Sequence, residues 1–347
     1  MIVFSQIDFP SRLSYFKKMQ KIMRRLLPLL VAVFIFIYIF SKIHPSEVWL
    51  VLKQSNVYLF VFFSAFYFFW VHILDCLTIK HFISRFSAPI THKESWLVRG
   101  VTYLIMIINY HAAQGAFAVY FKKTHGASVS KTLGALVFIS MADFILVLSS
   151  ALIALLFTQV EYRGFDVDAY VLGVAPLIYV VYVLFILFWR YVEHPFIQKL
   201  SRFKTVSWIL KHNVFLIFRE ARLKDFLYLF LLRVPLIVAV IGGYNLAVHA
   251  FYAHISWIKI FLYNPLIMFV STLPITPAGL GTGQLLTIEF FKNQIHSPLF
   301  AAGLSTPASL LLTTSLLWFV ANQVIKAVFG AICLFWTSSG LFKSSDA

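Results

Sequence analysis

Charged side chains inside apolar runs are the first residues of this sequence that could carry chemistry. Asp143 and Lys326 each lie about ten residues inside the predicted cytoplasmic end of an apolar run, roughly 15 Å deep at 1.5 Å per residue. A charge at that depth is costly, so it is expected to serve a function or to be paired. Two readings stay open: both side chains contact a polar guest, or they pair with each other. Asp75 and Arg233 lie nearer to predicted helix ends, where a charged group can reach the membrane surface.

Prolines and glycines interrupt another apolar stretch, residues 257–291, near its middle. They are Pro274, Pro277, Gly279, Gly281 and Gly283. Non-helical backbone at membrane depth is tolerated only where protein or water satisfies its polar groups. A helix that begins near Gly281 would direct free N–H groups and the positive end of its dipole into a cavity, which suits a phosphate or a carboxylate. The alternative is a tight turn in which glycine allows close helix packing.

Polar side chains beside these interruptions are the remaining candidates for a binding site. Gln284 and Glu289 follow the glycines and are predicted to line the same cavity. The other irregular stretch, residues 96–121, holds polar and small residues within an apolar run: Asn109, His111, Gln114 and Gly115. They predict a second close-packed turn with groups facing a cavity, and hydrogen bonds between helices are the alternative.

The sequence contains no recognisable catalytic or cofactor motif. Its 11 histidines form no two-histidine metal motif and no spacing typical of a Ser-His-Asp triad, and it has no P-loop. Its alternating glycines lack the spacing of a dinucleotide fingerprint. Cys76 and Cys333 lie within apolar runs, without a neighbour at redox or metal-ligand spacing. We therefore predict a protein that is not an enzyme and has no metal and no cofactor.

The composition is that of an integral membrane protein with several helices. Of the 347 residues, 61% are hydrophobic and 12% are charged, against about half and about a quarter in soluble chains. The net charge of +16 is concentrated in short stretches between apolar runs, which indicates loops facing an anionic leaflet and argues against nucleic acid. A span needs about 20 apolar residues. The clear candidates are Leu26–Ile43, Val57–Ile79, Leu133–Phe157, Tyr170–Trp189, Phe226–His249 and Thr306–Trp336.

The distribution of Lys and Arg predicts the topology. Residues 1–25 and 190–224 are basic and are expected to be cytoplasmic, whereas the acidic loop 159–169 is expected outside. Residues 190–224 are predicted to form an amphipathic helix on the leaflet, with an ordinary basic linker as the alternative. The chain is then cytoplasmic both before and after residues 96–121, a segment too short for two crossings of about 30 Å. It is therefore predicted to be re-entrant. The same reasoning makes residues 257–291 re-entrant from the other side, with a single crossing plus a half-helix as the competing layout.

Together these assignments predict an all-α polytopic membrane protein of about six to eight transmembrane helices. Residues 26–339 form a single transmembrane domain and residues 340–347 a tail. Two oppositely oriented re-entrant segments are typical of an inverted repeat, whose interface commonly holds a site near the midplane. The expected location is the cell membrane, with a cytoplasmic N-terminus.

One short motif resembles a known family. Residues 273–281 are similar to the late LP-x-x-x-G-G-L-G signature of the lysylphosphatidylglycerol synthase transmembrane family, also called flippase-like or UPF0104 proteins. Asp143 and residues 120–122 also fit the family's layout. The chain departs from the family where cations are common. Residues 282–284 are Thr-Gly-Gln where the family often has x-Arg-Glu, and residues 111–115 lack its Pro-Gly-Gly with a nearby Arg. Asp143 is followed by Phe in place of an arginine.

The resemblance implies movement of lipids between leaflets, such as an aminoacylated phospholipid or a polyprenyl-phosphate carrier. The leading hypothesis is a lipid translocase or lipid-binding protein whose re-entrant segments enclose a passage for an anionic or phosphate-bearing headgroup. A secondary transporter of a small solute is the second hypothesis. A non-catalytic partner subunit of an envelope lipid or glycan enzyme is the third. The expected partners are membrane lipids, with a second copy of the chain or an envelope enzyme as further ones, and no nucleic acid.

Overall fold

The computed structural model describes residues 37, 41, 45–158, 161–162, 165–195, 199, 213–272, 276 and 279–341. Nearly all of these residues are helical, which confirms the predicted all-α class. The helices are α1 (Pro45–Gln54), α2 (Val57–Phe86), α3 (His92–Met106), α4 (Tyr110–His125), α5 (Val129–Leu155), α6 (Val167–Arg190), α7 (Ile217–Glu220), α8 (Leu223–Ala250), α9 (Trp257–Thr272), α10 (Thr282–Phe291), α11 (Pro298–Ala301) and α12 (Pro307–Leu341). A short 3₁₀ helix covers Asn213–Phe215. Two antiparallel two-stranded ladders pair β1 (Glu161–Tyr162) with β2 (Phe165–Asp166) and β3 (His254–Ile255) with β4 (Ile295–His296).

Five of the described helices are long and apolar enough to cross a membrane. They are α2, α5, α8, residues 172–190 of α6 and residues 307–337 of α12. Each of them overlaps one of the spans predicted from the sequence. The protein is therefore a multi-pass membrane protein.

Other sequence-based assignments fall on residues that the structure does not describe. Within the predicted first span, Leu26–Ile43, the structure describes only Ile37 and Ser41. The basic residues 1–25 lie outside the described residues. The same holds for most of residues 196–212, in the predicted amphipathic stretch, and for residues 342–347 of the tail. These assignments stay predictions.

Both irregular stretches fold as two consecutive helices that are shorter than a span. α3 and α4 have 15 and 16 residues, and α9 and α10 have 16 and 10. At 1.5 Å per residue the longest of them reaches about 24 Å, less than the hydrocarbon core of about 30 Å. We refer to α3 and α4 as hairpin 1 and to α9 and α10 as hairpin 2.

The two ends of each hairpin are joined at its base. In hairpin 1, Nε2 of His125 at the end of α4 lies 3.0 Å from Oε1 of Glu94 in the first turn of α3. In hairpin 2, β3 precedes α9 and pairs with β4, which follows α10. The first and last residues of each hairpin therefore lie at the same end of the fold.

The two bases lie at opposite ends of a central antiparallel helix pair, α2 and α8. The backbone N–H of Asn56, which caps the N-terminus of α2, donates to the carbonyl oxygen of Ala250 at the end of α8 (2.8 Å). Hairpin 2 follows α8 and starts at this end, whereas hairpin 1 follows Phe86 at the other end of α2. Packing is reciprocal, since α3 packs against α12 and α9 packs against α5.

Small residues let hairpin 1 approach α12 closely. A Cβ on Gly100 would lie 2.4 Å from Sγ of Cys333, and a Cβ on Gly330 would lie 2.9 Å from the carbonyl oxygen of Gly100. Glycine at such helix contacts allows backbones to meet. This contact sets the position of α3 and of Arg99, the neighbour of Gly100 in the sequence.

Candidate functional site

Four charged side chains, one each from α3, α2, α8 and α5, form a continuous row of ion pairs. Nε of Arg99 on α3 lies 2.5 Å from Oδ2 of Asp75 on α2, and Oδ1 of Asp75 lies 2.7 Å from Nη1 of Arg233 on α8. Arg233 also forms a bidentate pair with Asp143 on α5, through Nε to Oδ1 at 2.5 Å and through Nη2 to Oδ2. We call these residues the charge row. Each carboxylate is neutralised by a guanidinium, which is how charges persist in a low-dielectric interior.

The burial of Asp75 and Arg233 corrects the expectation that they reach the membrane surface. Their side chains are only 7% and 6% exposed. α2 continues to Phe86, beyond the predicted end of the span at Ile79, so Asp75 lies further from the helix end than its sequence position indicates. The antiparallel packing of α2 on α8 then turns both side chains toward each other.

Asp143 is the most exposed member of the charge row, with 26% of its side chain accessible. Its partner is Arg233, so the sequence reading in which Asp143 pairs with Lys326 is wrong. A cavity of about 380 Å³ borders the row at this point. Its lining contains the whole charge row, Gln323 and Lys326 on α12, and Met106 and Ile107 at the turn of hairpin 1.

A second cavity of about 450 Å³ adjoins the first, because Gln323 and Lys326 line both. The turn of hairpin 2 and the start of α10 contribute four residues to its lining: Ser271, Gly279, Gly283 and Gln284. Lys326 therefore lies between the turns of the two hairpins. We refer to the two adjoining cavities together as the central cavity.

The charged groups of the central cavity do not balance. Arg99, Arg233 and Lys326 supply three cations, whereas Asp75 and Asp143 supply two carboxylates. Lys326 forms no ion pair or hydrogen bond with any residue that the structure describes. Counted as formal charges, one positive charge is thus in excess, and it belongs to Lys326, where the two cavities meet.

The N-terminus of α10 is held by residues of its own segment. The backbone N–H of Gly281 donates to Oε1 of Gln284 (2.6 Å), and Oγ1 of Thr282 donates to the carbonyl oxygen of Gly279 (3.1 Å). The helix begins at Thr282, next to the predicted start at Gly281, and the N–H of Gly281 is taken up by this cap. Pro274 and Pro277 lie outside the described residues.

Replacing Gly279 by alanine is expected to destabilise the protein. Gly279 has a φ of 71°, and an added Cβ would lie 2.9 Å from Cβ of Ser271. The left-handed conformation alone costs a non-glycine residue about 1–2 kcal/mol. Gly115→Ala is the matched control, because an added Cβ there meets no atom within 4 Å and alanine favours a helix by roughly 1 kcal/mol over glycine. Thermal unfolding of the two purified variants should shift in opposite directions, and an unchanged Gly279→Ala protein would contradict the assigned turn.

His111 and Gln114 lie beside the central cavity and not within it. They line a mostly apolar groove of about 410 Å³ between α4, α5 and α6, where Nε2 of Gln114 donates to Oγ of Ser140 (3.2 Å). We call this the α5–α6 groove. Tyr110 lines both the groove and the central cavity, so the two spaces adjoin at its ring.

Three other predicted site residues have local roles. The side chain of Asn109 accepts from the backbone N–H of Ala112 (2.9 Å) and caps α4, while Gly115 lies within that helix. Glu289 pairs with Lys292 at 2.8 Å and lies outside the lining of the described cavities, which corrects its prediction as a cavity residue. On α10 the cavity face carries Gly283, Gln284 and Thr287, and Glu289 points away from it.

Arg99 is a site residue that the sequence-based candidates do not include. It lies in the apolar stretch 96–121, so the rule that identifies Asp143, a charge within an apolar run, also applies to it. Arg233 supplies the partner of Asp143. It comes from a helix 90 positions further along the chain than Asp143, so no local motif indicates it.

The fold and the central cavity define a multi-pass helical membrane protein with a charged cavity between two helical hairpins. A family model described as the lysylphosphatidylglycerol synthase TM region matches residues 25–330. The chain therefore belongs to this family, which confirms the resemblance of residues 273–281. No curated protein and no solved structure matches the chain.

Proposed function

We propose that this protein moves a phospholipid or polyprenyl-phosphate-type lipid between the leaflets of the cell membrane, or binds it there, without covalent chemistry. The observation that carries the proposal is the excess positive charge at Lys326, inside the central cavity and between the two hairpin turns. Membership of the family supports a role with lipids.

An anionic headgroup is the ligand that suits this charge. A half-buried ammonium without an ionic partner is costly in a low-dielectric interior. A phosphate within the cavity would neutralise Lys326 and accept hydrogen bonds from it. The remaining polar groups of the second cavity are neutral, such as Asn264, Gln284 and Thr287, and they can bind a headgroup's hydroxyl or amide groups.

Two apolar grooves favour a lipid over a small solute as the cargo. The α5–α6 groove adjoins the central cavity at Tyr110. A groove of about 360 Å³ between α2, α8 and α9, which we call the α2–α8 groove, adjoins it at Tyr67 and includes Trp70 and Phe261 in its lining. A lipid can keep its acyl chains in such grooves while its headgroup occupies the cavity, whereas a solute transporter needs a cavity sealed from lipid.

The charge of the hairpin bases supports a cytoplasmic location for the base of hairpin 1. Lys93, Lys122 and Lys123 lie there, and basic residues favour the cytoplasmic side. The base of hairpin 2 is at the opposite end of α2 and would then face outward. The chain's N-terminus is proposed to be cytoplasmic on the same grounds.

Single cysteines at the two bases test this orientation. Lys123 and Asn293 are both exposed, and Cys76 and Cys333 are buried and can be replaced by alanine in the background. In intact cells, a membrane-impermeant maleimide is expected to label Asn293→Cys at once and Lys123→Cys only after permeabilisation. Labelling of both from the outside would contradict the opposed arrangement of the hairpins.

Transport of labelled lipid by the purified protein in liposomes tests the function. The probes are NBD-phosphatidylglycerol, which is anionic, and NBD-glucosylceramide, which carries no charge. We expect the protein to raise the fraction of NBD-phosphatidylglycerol that impermeant dithionite can reduce, above that of protein-free vesicles, and to leave the uncharged probe unchanged. Release of trapped radiolabelled phosphate without lipid movement would favour a solute transporter and overturn the proposal.

A further inference from the structure

Two hydroxyl side chains of the second cavity, the one of about 450 Å³ at the turn of hairpin 2, donate to backbone of their own helices. Oγ1 of Thr287 donates to the carbonyl oxygen of Gly283 (2.8 Å), and Oγ of Ser315 donates to the carbonyl oxygen of Leu312 (3.0 Å). A hydroxyl has one donor and two acceptor lone pairs. With its donor used within the helix, each oxygen remains an acceptor for a ligand.

Two asparagines of the same lining are oriented in the same way. Nδ2 of Asn322 donates to the carbonyl oxygen of Trp318 (2.8 Å), and Nδ2 of Asn264 donates to the carbonyl oxygen of Ile241 (2.5 Å). Because a carbonyl oxygen only accepts, the amide nitrogen must face it. Neither Oδ1 has a hydrogen-bond partner among the described residues. Four neutral acceptors therefore line the second cavity.

The charges around the second cavity do not favour a second cation in the ligand. The described residues of its lining include no carboxylate, and Asp75 and Asp143 of the adjoining cavity are paired with guanidinium groups. One phosphate beside Lys326 brings the formal charge of the central cavity to zero, because three cations then face two carboxylates and the phosphate. A headgroup that also carried an ammonium would leave a positive charge unbalanced in a low-dielectric site, which is costly.

We propose that the second cavity selects a phospholipid whose phosphate is followed by a neutral, hydroxyl-bearing group, such as glycerol or a sugar-like ring. The hydroxyls donate to the four acceptors while the phosphate lies at Lys326. A site built to hydrogen-bond a ligand's hydroxyl rejects an analogue without it, since the buried partner is then left unpaired. The inference rests on the proposed function, because it names the headgroup that the same cavity takes.

Four phospholipids, each with NBD on an acyl chain, test the headgroup in liposomes that contain the wild-type protein. Phosphatidylglycerol and phosphatidylinositol carry free hydroxyls, phosphatidylethanol has their phosphodiester charge without a hydroxyl, and phosphatidylethanolamine adds an ammonium. We expect at least one of the two hydroxyl-bearing lipids to become accessible to dithionite about 10-fold faster than phosphatidylethanol and phosphatidylethanolamine, the effect of one to two hydrogen bonds. The faster of the two distinguishes a short polyol from a ring.

Thr287→Val and Ser315→Ala each remove one of the four acceptors. Either change should lower the preference for the hydroxyl-bearing lipid over phosphatidylethanol by about 2- to 10-fold, the effect of a single hydrogen bond. Thr314→Val is the matched control. Oγ1 of Thr314 donates to the carbonyl oxygen of Leu310 (2.8 Å), but Thr314 lies outside the lining of the central cavity, so its replacement should leave the preference unchanged.

The outcomes separate this inference from the proposed function. If phosphatidylethanol or phosphatidylethanolamine moves as fast as both hydroxyl-bearing lipids, the selection of hydroxyls is overturned and lipid movement stands. If no probe moves and no short-chain form of these lipids raises the unfolding temperature of the purified protein, the proposed function is overturned together with this inference. An equal loss of preference in Thr314→Val would contradict the assignment of the acceptors to the second cavity.

Discussion

Arg233→Met is expected to lower the free energy of unfolding by about 3–5 kcal/mol, the usual effect of removing one partner of a buried ion pair. Arg233 is the residue that joins the two carboxylates of the charge row. Without it, Asp143 has no ion-pair partner among the described residues and Asp75 keeps only Arg99. The loss therefore comes from leaving carboxylates uncompensated in a low-dielectric interior, and it should be visible in an SDS titration of the purified protein in mixed micelles.

Arg219→Met provides the matched comparison. Arg219 forms an ion pair of 2.6 Å with Glu193, but the two side chains are 43% and 74% exposed. Such surface pairs contribute at most about 1 kcal/mol, so the variant should unfold almost as the wild type does. Equal destabilisation by the two substitutions would contradict a special role for the charge row.

The double variant Arg233→Met, Asp143→Asn separates the cost of the orphaned charge from the loss of contacts. Changing Asp143 to asparagine removes one of the carboxylates that Arg233→Met leaves unpaired. The double variant is therefore expected to be less destabilised than the sum of its two single changes, as residues of one network are not additive. Strict additivity in the SDS titration would show that Arg233 and Asp143 do not act as a pair.

The spans and the interruption of residues 96–121 and 257–291 could be predicted because their signals are local. Apolar runs of sufficient length indicate helices that cross a membrane, and Pro, Gly and polar residues within such runs indicate breaks. The bounds were less accurate, since α2 continues to Phe86, past the apolar run that ends at Ile79. Hydropathy indicates which residues lie in the membrane, and it does not indicate where a helix ends. The helix can therefore continue through polar residues beyond the apolar run.

The partners within the site could not be predicted, because they depend on tertiary packing. Asp75 contacts Arg233 across 158 positions of the chain, and Arg233 contacts Asp143 across 90. An apolar-run argument identifies a buried charge but not the helix that supplies its counter-ion. The directions of the side chains on the short helix α10 could not be predicted either, because they also depend on contacts that the sequence does not show. Gln284 turns back to cap its own helix, and Glu289 faces Lys292.

Lys326→Met is expected to separate function from stability, because Lys326 is charged but has no ionic partner among the described residues. Removing an ammonium from a low-dielectric interior relieves a desolvation cost, so the variant should unfold at the same or a higher SDS concentration than the wild type. Residues kept for function at the expense of stability commonly behave in this way.

Transport should respond in the opposite direction. If Lys326 holds the headgroup phosphate, its replacement removes a charged hydrogen bond worth about 1.5–3 kcal/mol, so dithionite-accessible NBD-phosphatidylglycerol should appear about 10- to 100-fold more slowly. Lys326→Arg keeps the charge and should retain part of the rate. Lys292→Met is the matched control, because Lys292 pairs with Glu289 at the base of hairpin 2, away from the central cavity, and its loss should leave the rate unchanged.

A Lys326→Met protein that transports like the wild type would contradict the proposed binding of the headgroup by this residue. A loss of transport accompanied by a loss of stability would assign Lys326 to the fold. Removal of a charge that only binds ligand is expected to slow transport without lowering the free energy of unfolding.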